Sequence, residues 1–153
     1  MPVKSKFKMK NYTTDISAER SIAEIETILA SFGAQAIMKE YGSDGRVWSL
    51  AFTLEDKGFK LPANAGGVQT VLYSGKQDYH GRDSMKNRDE RAYRVAWRIL
   101  KDWIHSQLSL VASGQGVPLQ IFFGYLYDGR RTLYQKYVEG KLLTSKKNNE
   151  ELG

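Results

Sequence analysis

Apolar residues at Ile22, Ile25, Ile28, Leu29 and Phe32 fall at the three- and four-residue steps of one helix face. Ser17 is placed to cap that helix, Glu19 suits its first turn, and Gly33 its end. Ahead of it, Tyr12 to Ile16 alternates weakly, which predicts a short strand. After it the period changes to two. Ala34 to Tyr41 sets Ala36 and Met38 against Ile37 and Lys39, and Gly42 to Gly45 is a tight-turn cluster. Arg46 to Leu54 places Trp48, Leu50, Phe52 and Leu54 on one face, with Ser49 and Thr53 on the other. A second turn is expected at Asp56-Lys57-Gly58, then a short strand from Phe59 to Leu61 that Pro62 stops.

The remainder is helical. Asn64 can cap a short helix through Val68, Val71 and Leu72, weakened by Gly66 and Gly67. A polar loop, Ser74 to Ser84, leads to the strongest pattern in the chain, a helix from Asn87 to Ala112. Ala92, Ala96, Ile99, Leu100, Trp103 and Ile104 mark its apolar arc. Pro118 to Leu126 is apolar and fits either structure, and Arg131 to Val138 predicts a short helix with Leu133, Tyr134 and Tyr137 inward. The expected fold class is α+β: a small antiparallel sheet of three to four strands packed against a long amphipathic helix and shorter helices. The expected organisation is a basic arm over 1–10, one domain over 11–143 and a charged tail over 144–153.

Composition narrows the chemistry. The 153 residues include no cysteine and two histidines, which removes disulfides, thiol catalysis and thiolate metal sites. The basic N-terminus has no apolar core of a signal peptide, and no apolar run approaches the ~18 residues of a membrane span. A cytoplasmic protein without membrane contact is expected.

The charge of +6 is unevenly spread. Residues 76–101 carry eight bases and four acids, a net of +4, whereas residues 11–56 carry three bases and eight acids, a net of −5. On a helical wheel Arg91, Arg94, Arg98, Lys101 and His105 occupy an arc of about 80°, a cationic ridge ~20 Å long beside the apolar arc. Guanidinium groups bind phosphate in two-point geometry, and phosphate contacts release counterions. The ridge, helped by Lys86, Arg88 and the arm residues Lys4, Lys6, Lys8 and Lys10, is therefore a candidate nucleic-acid contact. Tyr79 and Arg82 in the polar loop join it as ligand contacts. The competing reading is internal: Glu19, Glu24 and Glu26 of the first helix, or Glu90 and Asp102, neutralise the ridge. Trp48, Phe52 and Trp103 sit on apolar faces and are expected in the core.

Enzyme chemistry finds less support. Asp78, His80 and Asp83 share one loop but lack the further ligands of a metal site. Gly66-Gly67 lacks the Gly-Lys-Ser/Thr ending of a phosphate loop, and no nucleophile elbow or dinucleotide fingerprint occurs. No catalytic residue, metal or cofactor is expected.

Three segments, Asn87 to Trp103, Ser21 to Ile25 and Gly129 to Tyr134, resemble small uncharacterised proteins of phages, prophages and mobile elements. The resemblance implies a mobile-element setting and assigns no residue a role. The helix–three-strand–helix order also resembles double-stranded RNA-binding domains, but the Gly-Pro-x-His loop of that pattern is missing and about 25 residues intervene between the last strand and the long helix. The leading expectation is a non-catalytic accessory protein that binds nucleic acid, DNA or RNA, or a host nucleoprotein complex. The alternative is a phage-encoded inhibitor of a host defence system, anti-CRISPR-like or messenger-sequestering. A small metal-dependent enzyme using the Asp78–His80–Asp83 loop is a second alternative.

Overall fold

A computed structural model describes residues 7–73 and 85–140. The class is α+β, with a three-stranded antiparallel sheet and a long helix. The chain divides into two compact units. One draws on the chain up to Phe32 and on Pro62–Ser109, the other on Gly33–Leu61 and the chain from Leu110 onward.

The first unit is helical: α1 (Ala18–Phe32), α2 (Ala65–Tyr73) and most of α3 (Met85–Ala112). Both short-range caps form as the sequence dictates. The Arg20 N–H donates to Ser17 Oγ at 3.1 Å, and the Gly67 N–H donates to Asn64 Oδ1 at 2.9 Å. These bonds satisfy donors that the first helical turn leaves without an internal partner. Gly33, at φ +108°, ends α1 in a backbone region that a side chain rarely adopts. The expected strand at Tyr12–Ile16 is absent. The chain turns there instead, with Asn11 at φ 63° and the Thr14 N–H bonded to its carbonyl.

The buried positions of this unit are Ile22, Ile25 and Leu29 of α1, Val68 and Leu72 of α2, and a broad arc of α3. That arc departs from the wheel. Trp97 and Val95 are completely buried, whereas Ile99, Leu100 and Trp103 remain half-buried. Trp97 meets Tyr93 edge-on, with ring centroids 6.5 Å apart. Trp103, expected in the core, is displaced toward the margin because the buried arc of the helix centres nearer Trp97.

The second unit holds the sheet, a meander in the order β1 (Ala36–Tyr41), β2 (Val47–Leu54), β3 (Lys57–Pro62). In register Ile37 opposes Phe52 and Lys39 opposes Leu50, but β1 is the more open strand: Ile37 is half-buried and Lys39 exposed. Leu50, Phe52 and Leu54 are buried, while Trp48 is only half-buried and donates its indole N–H to Asp44 at 2.8 Å. The second turn lies earlier than expected. Glu55 and Asp56 occupy the left-handed region at φ 49° and 64°, and Gly58 belongs to β3. Gln35 explains how two non-glycine residues hold this turn: it accepts from the Asp56 N–H at 2.9 Å and donates to Asp56 Oδ1 at 2.8 Å.

Pro118–Ile121 forms α4 and Phe123–Tyr125 one 3-10 turn, resolving the ambiguous apolar run. Phe122 between them is fully buried and packs against Phe52 and Phe59 at centroid distances of 5.5 and 5.6 Å. Residues 126–127 then run alongside β3, with the Tyr127 N–H bonded to the Gly58 carbonyl at 2.8 Å. A final helix, α5, covers 133–140. Its tyrosines reverse the expectation: Tyr134 is 66% exposed and Tyr137 60%, and only Leu133 is partly withdrawn from solvent. The inward side of α5 is a narrow stripe, and the segment carries more apolar residues than that stripe can bury.

Candidate nucleic-acid interface

The predicted ridge lies on one side of α3, but α1 meets it. Arg98 donates from Nη1 to Glu24 Oε2 at 2.5 Å, and Lys101 Nζ lies 3.9 Å from the same oxygen. Arg20, one turn before Glu24 on α1, adds a third cation at 3.3 Å. Lys101 also reaches Asp102 at 3.5 Å. The side chains of Arg98 and Lys101 are only 14% and 17% exposed. Their charges are thus held within the fold, and the expectation of a continuous free ridge fails at these two positions. The physical reason is the acidic face of α1, and Glu24 is the residue that decides it.

The Glu24 carboxyl is held below its ordinary value of 4.5, chiefly by the hydrogen bond from Arg98, with Lys101 and Arg20 contributing and burial opposing. Asp102 forms a second node. Asn11 Nδ2 donates to it at 2.8 Å, and Lys10 Nζ lies 3.6 Å away. Burial pushes its carboxyl up, but Asn11, Lys101, Lys10 and Arg98 together hold it below the ordinary value. Lys10, expected to reach an external phosphate, is engaged here in tying the arm to α3.

The first half of α3 differs. Lys86 is exposed, and Arg88 lies over the Tyr73 ring at 4.6 Å from its centroid. Arg91 is half-buried and engaged with neighbours. Arg94, between Arg91 and Arg98 on the ridge, is half-buried with its Nε shielded from solvent and bonded to nothing. Among the described residues no acid pairs with it. Arg94 therefore places a guanidinium where solvation is incomplete. His105, at the far end of the ridge, is exposed.

Lys8 is engaged with neighbours. Lys4, Lys6, Tyr79 and Arg82 lie outside the described residues, as do Asp78, His80 and Asp83 of the metal-enzyme alternative. Among the described residues no three His, Asp or Glu side chains group as metal ligands, and no helix is long and apolar enough to cross a membrane. Compared with protein-family models, curated proteins and solved structures, the chain matches none.

Proposed function

We propose that the protein is a non-catalytic accessory protein of a mobile element that binds nucleic acid through phosphate contacts centred on Arg94. The observation that carries this reading is the guanidinium itself. A half-buried cation with no counter-charge among the described residues is costly, and an external anion removes that cost. Arg98 and Lys101 are excluded from direct phosphate contact in this reading, because Glu24 already holds them. They serve instead to fix α3 against α1. Lys86 and the net charge of +6 supply the surrounding positive field that draws in a polyanion.

Anisotropy titrations with labelled DNA and RNA, repeated over a range of salt, test the reading. Affinity should fall steeply with salt. Arg94→Gln should weaken binding severalfold on any sequence and reduce the salt slope by about one. The same change should leave unfolding within about 0.5 kcal/mol of the parent, since Arg94 has no ion-pair partner to lose among the described residues. Parent protein that binds neither acid at low salt, or an Arg94→Gln protein that binds as well as the parent, refutes the proposal. In that event a nuclease-resistant protein partner from host lysate would turn attention to the defence-inhibitor alternative.

A further inference from the structure

Across its middle, α3 is partly or wholly covered on every side. From Glu90 to Ile104 none of its residues is exposed, and Tyr93, Val95, Ala96 and Trp97 around Arg94 are buried. The cations of this flank therefore do not stand on a crest. Arg94 is half-buried, its Nε is shielded and bonded to nothing, and Arg98 and Lys101 beyond it are turned to Glu24. Arg91, three residues earlier, leaves the same side of the helix and is half-buried as well, engaged with its neighbours. Two guanidinium groups thus lie one turn apart, each partly withdrawn from solvent.

The charge around them is positive after the acids are counted. Residues 86–101 hold six bases and two acids, Asp89 and Glu90. Glu24 of α1 adds a third acid, which leaves a net of +3. Asp102, the next acid along α3, has Lys10 of the arm 3.6 Å away. The flank offers charge without ring faces: Tyr93 and Trp97 beside Arg94 are buried, and Arg88 covers the Tyr73 ring. Recognition here runs through phosphate and not through stacked bases.

Two kinds of phosphate occur on a nucleic acid. An internal diester carries one charge, lies along the strand and is crowded by a sugar on each side. A terminal monoester carries about 1.5–2 charges at neutral pH and projects from the strand on a single bond. A withdrawn guanidinium is met poorly by the first. The second can reach in and accept from two N–H donors at once. Its extra charge also answers the neighbouring Arg91. We infer that the Arg94 site takes a terminal phosphate monoester, the phosphorylated end of a DNA or RNA strand. The inference rests on the proposed nucleic-acid function and narrows its ligand from backbone to strand end.

The test uses one internally labelled duplex, prepared with a phosphate at one strand end or with hydroxyls at both. Each form is titrated with the parent, Arg94→Gln and Lys86→Gln. The parent should bind the phosphorylated duplex about tenfold more tightly. Arg94→Gln should bring the two forms within about twofold of each other. Lys86 is exposed and supplies only the surrounding field, so Lys86→Gln should weaken both forms alike and keep the preference. Equal binding of both forms by the parent overturns the inference without any variant, and so does a preference that survives Arg94→Gln. Should Arg94→Gln weaken both forms by the same factor, the strand-end inference falls and the Arg94 reading stands. Absence of any binding by the parent overturns both. Thymidine monophosphate as competitor separates a strand end from a free nucleotide. Displacement only at concentrations far above the duplex Kd supports the strand end, and a mononucleotide that binds as tightly as the duplex overturns it.

Discussion

Glu24→Gln keeps the shape of the side chain and removes the charge that faces Arg98 and Lys101. Breaking one side of a fully buried ion pair costs ~3–5 kcal/mol, whereas exposed pairs contribute ~0–1 kcal/mol. Glu24 retains 30% of its exposure, against 14% and 17% for its two partners, so the seam lies between those limits. Solvent screening at Glu24 lowers the expected loss to about 2 kcal/mol. In a chain of this size that is a drop of roughly 4–8 °C in Tm. The pH dependence has a defined sign. A carboxyl whose folded pKa is depressed contributes stability that is fully present above its unfolded value and is lost as pH falls through the folded value. The contribution of Glu24 is therefore complete above about pH 4.5 and disappears below it.

Urea unfolding followed by tryptophan emission measures this directly, because Trp97 is completely buried on the same helix. The gap between parent and Glu24→Gln should be about 2 kcal/mol at neutral pH and should close in acid. A cycle with Arg98→Gln should give a coupling energy above about 1 kcal/mol. A neutral-pH gap below about 0.5 kcal/mol, or one that persists unchanged in acid, would falsify the assignment of the ridge to internal pairing. The same substitution carries a functional signature of opposite sign: releasing two cations should strengthen binding to a polyanion while the fold weakens.

Two further changes probe the second unit, and the binding variant of Arg94 completes the set. Phe122→Ala removes the ring that joins Phe52 to Phe59 and should cost ~3–5 kcal/mol, read as a lowered urea midpoint; a loss below about 1 kcal/mol would contradict its place in the core. Gly42→Ala would drive a Cβ into the Trp48 indole, forcing it away from Asp44. A loss of ~1–3 kcal/mol with a shift in tryptophan emission is expected, and unchanged emission would refute the contact.

Local rules made much of the fold legible. Ser17 and Asn64 read as caps and act as caps. The alternation of Leu50, Phe52 and Leu54 placed one face of β2 in the core, and the three-to-four spacing located α1 and α3. These features need only neighbours in the chain, within one turn or one strand. The failures arose where distant residues decide. Glu55 and Asp56 hold a left-handed turn because Gln35, some twenty residues earlier, clamps it. The buried arc of α3 centres nearer Trp97 than Trp103, although both tryptophans sit in a helical pattern. Tyr134 and Tyr137 face outward because α5 buries only one narrow side.

The candidate site shows the same division. The positive flank of α3 is written in the spacing of its arginines and lysines, since helix geometry alone projects those positions to one side. The acids of α1 were equally visible, and internal neutralisation was one of the two outcomes that the charge pattern allowed. Which cation would meet which carboxylate depended on how α1 lies against α3, and sequence separation carries no such distance. Glu24 reaches Arg98 across 74 positions, and among the described residues Arg94 is left without an acid. Helix, strand and charge periodicity are properties of adjacent residues and were settled by the order of amino acids. The state of each charge, held or uncommitted, is a property of contacts between elements, and only the packed structure decided it.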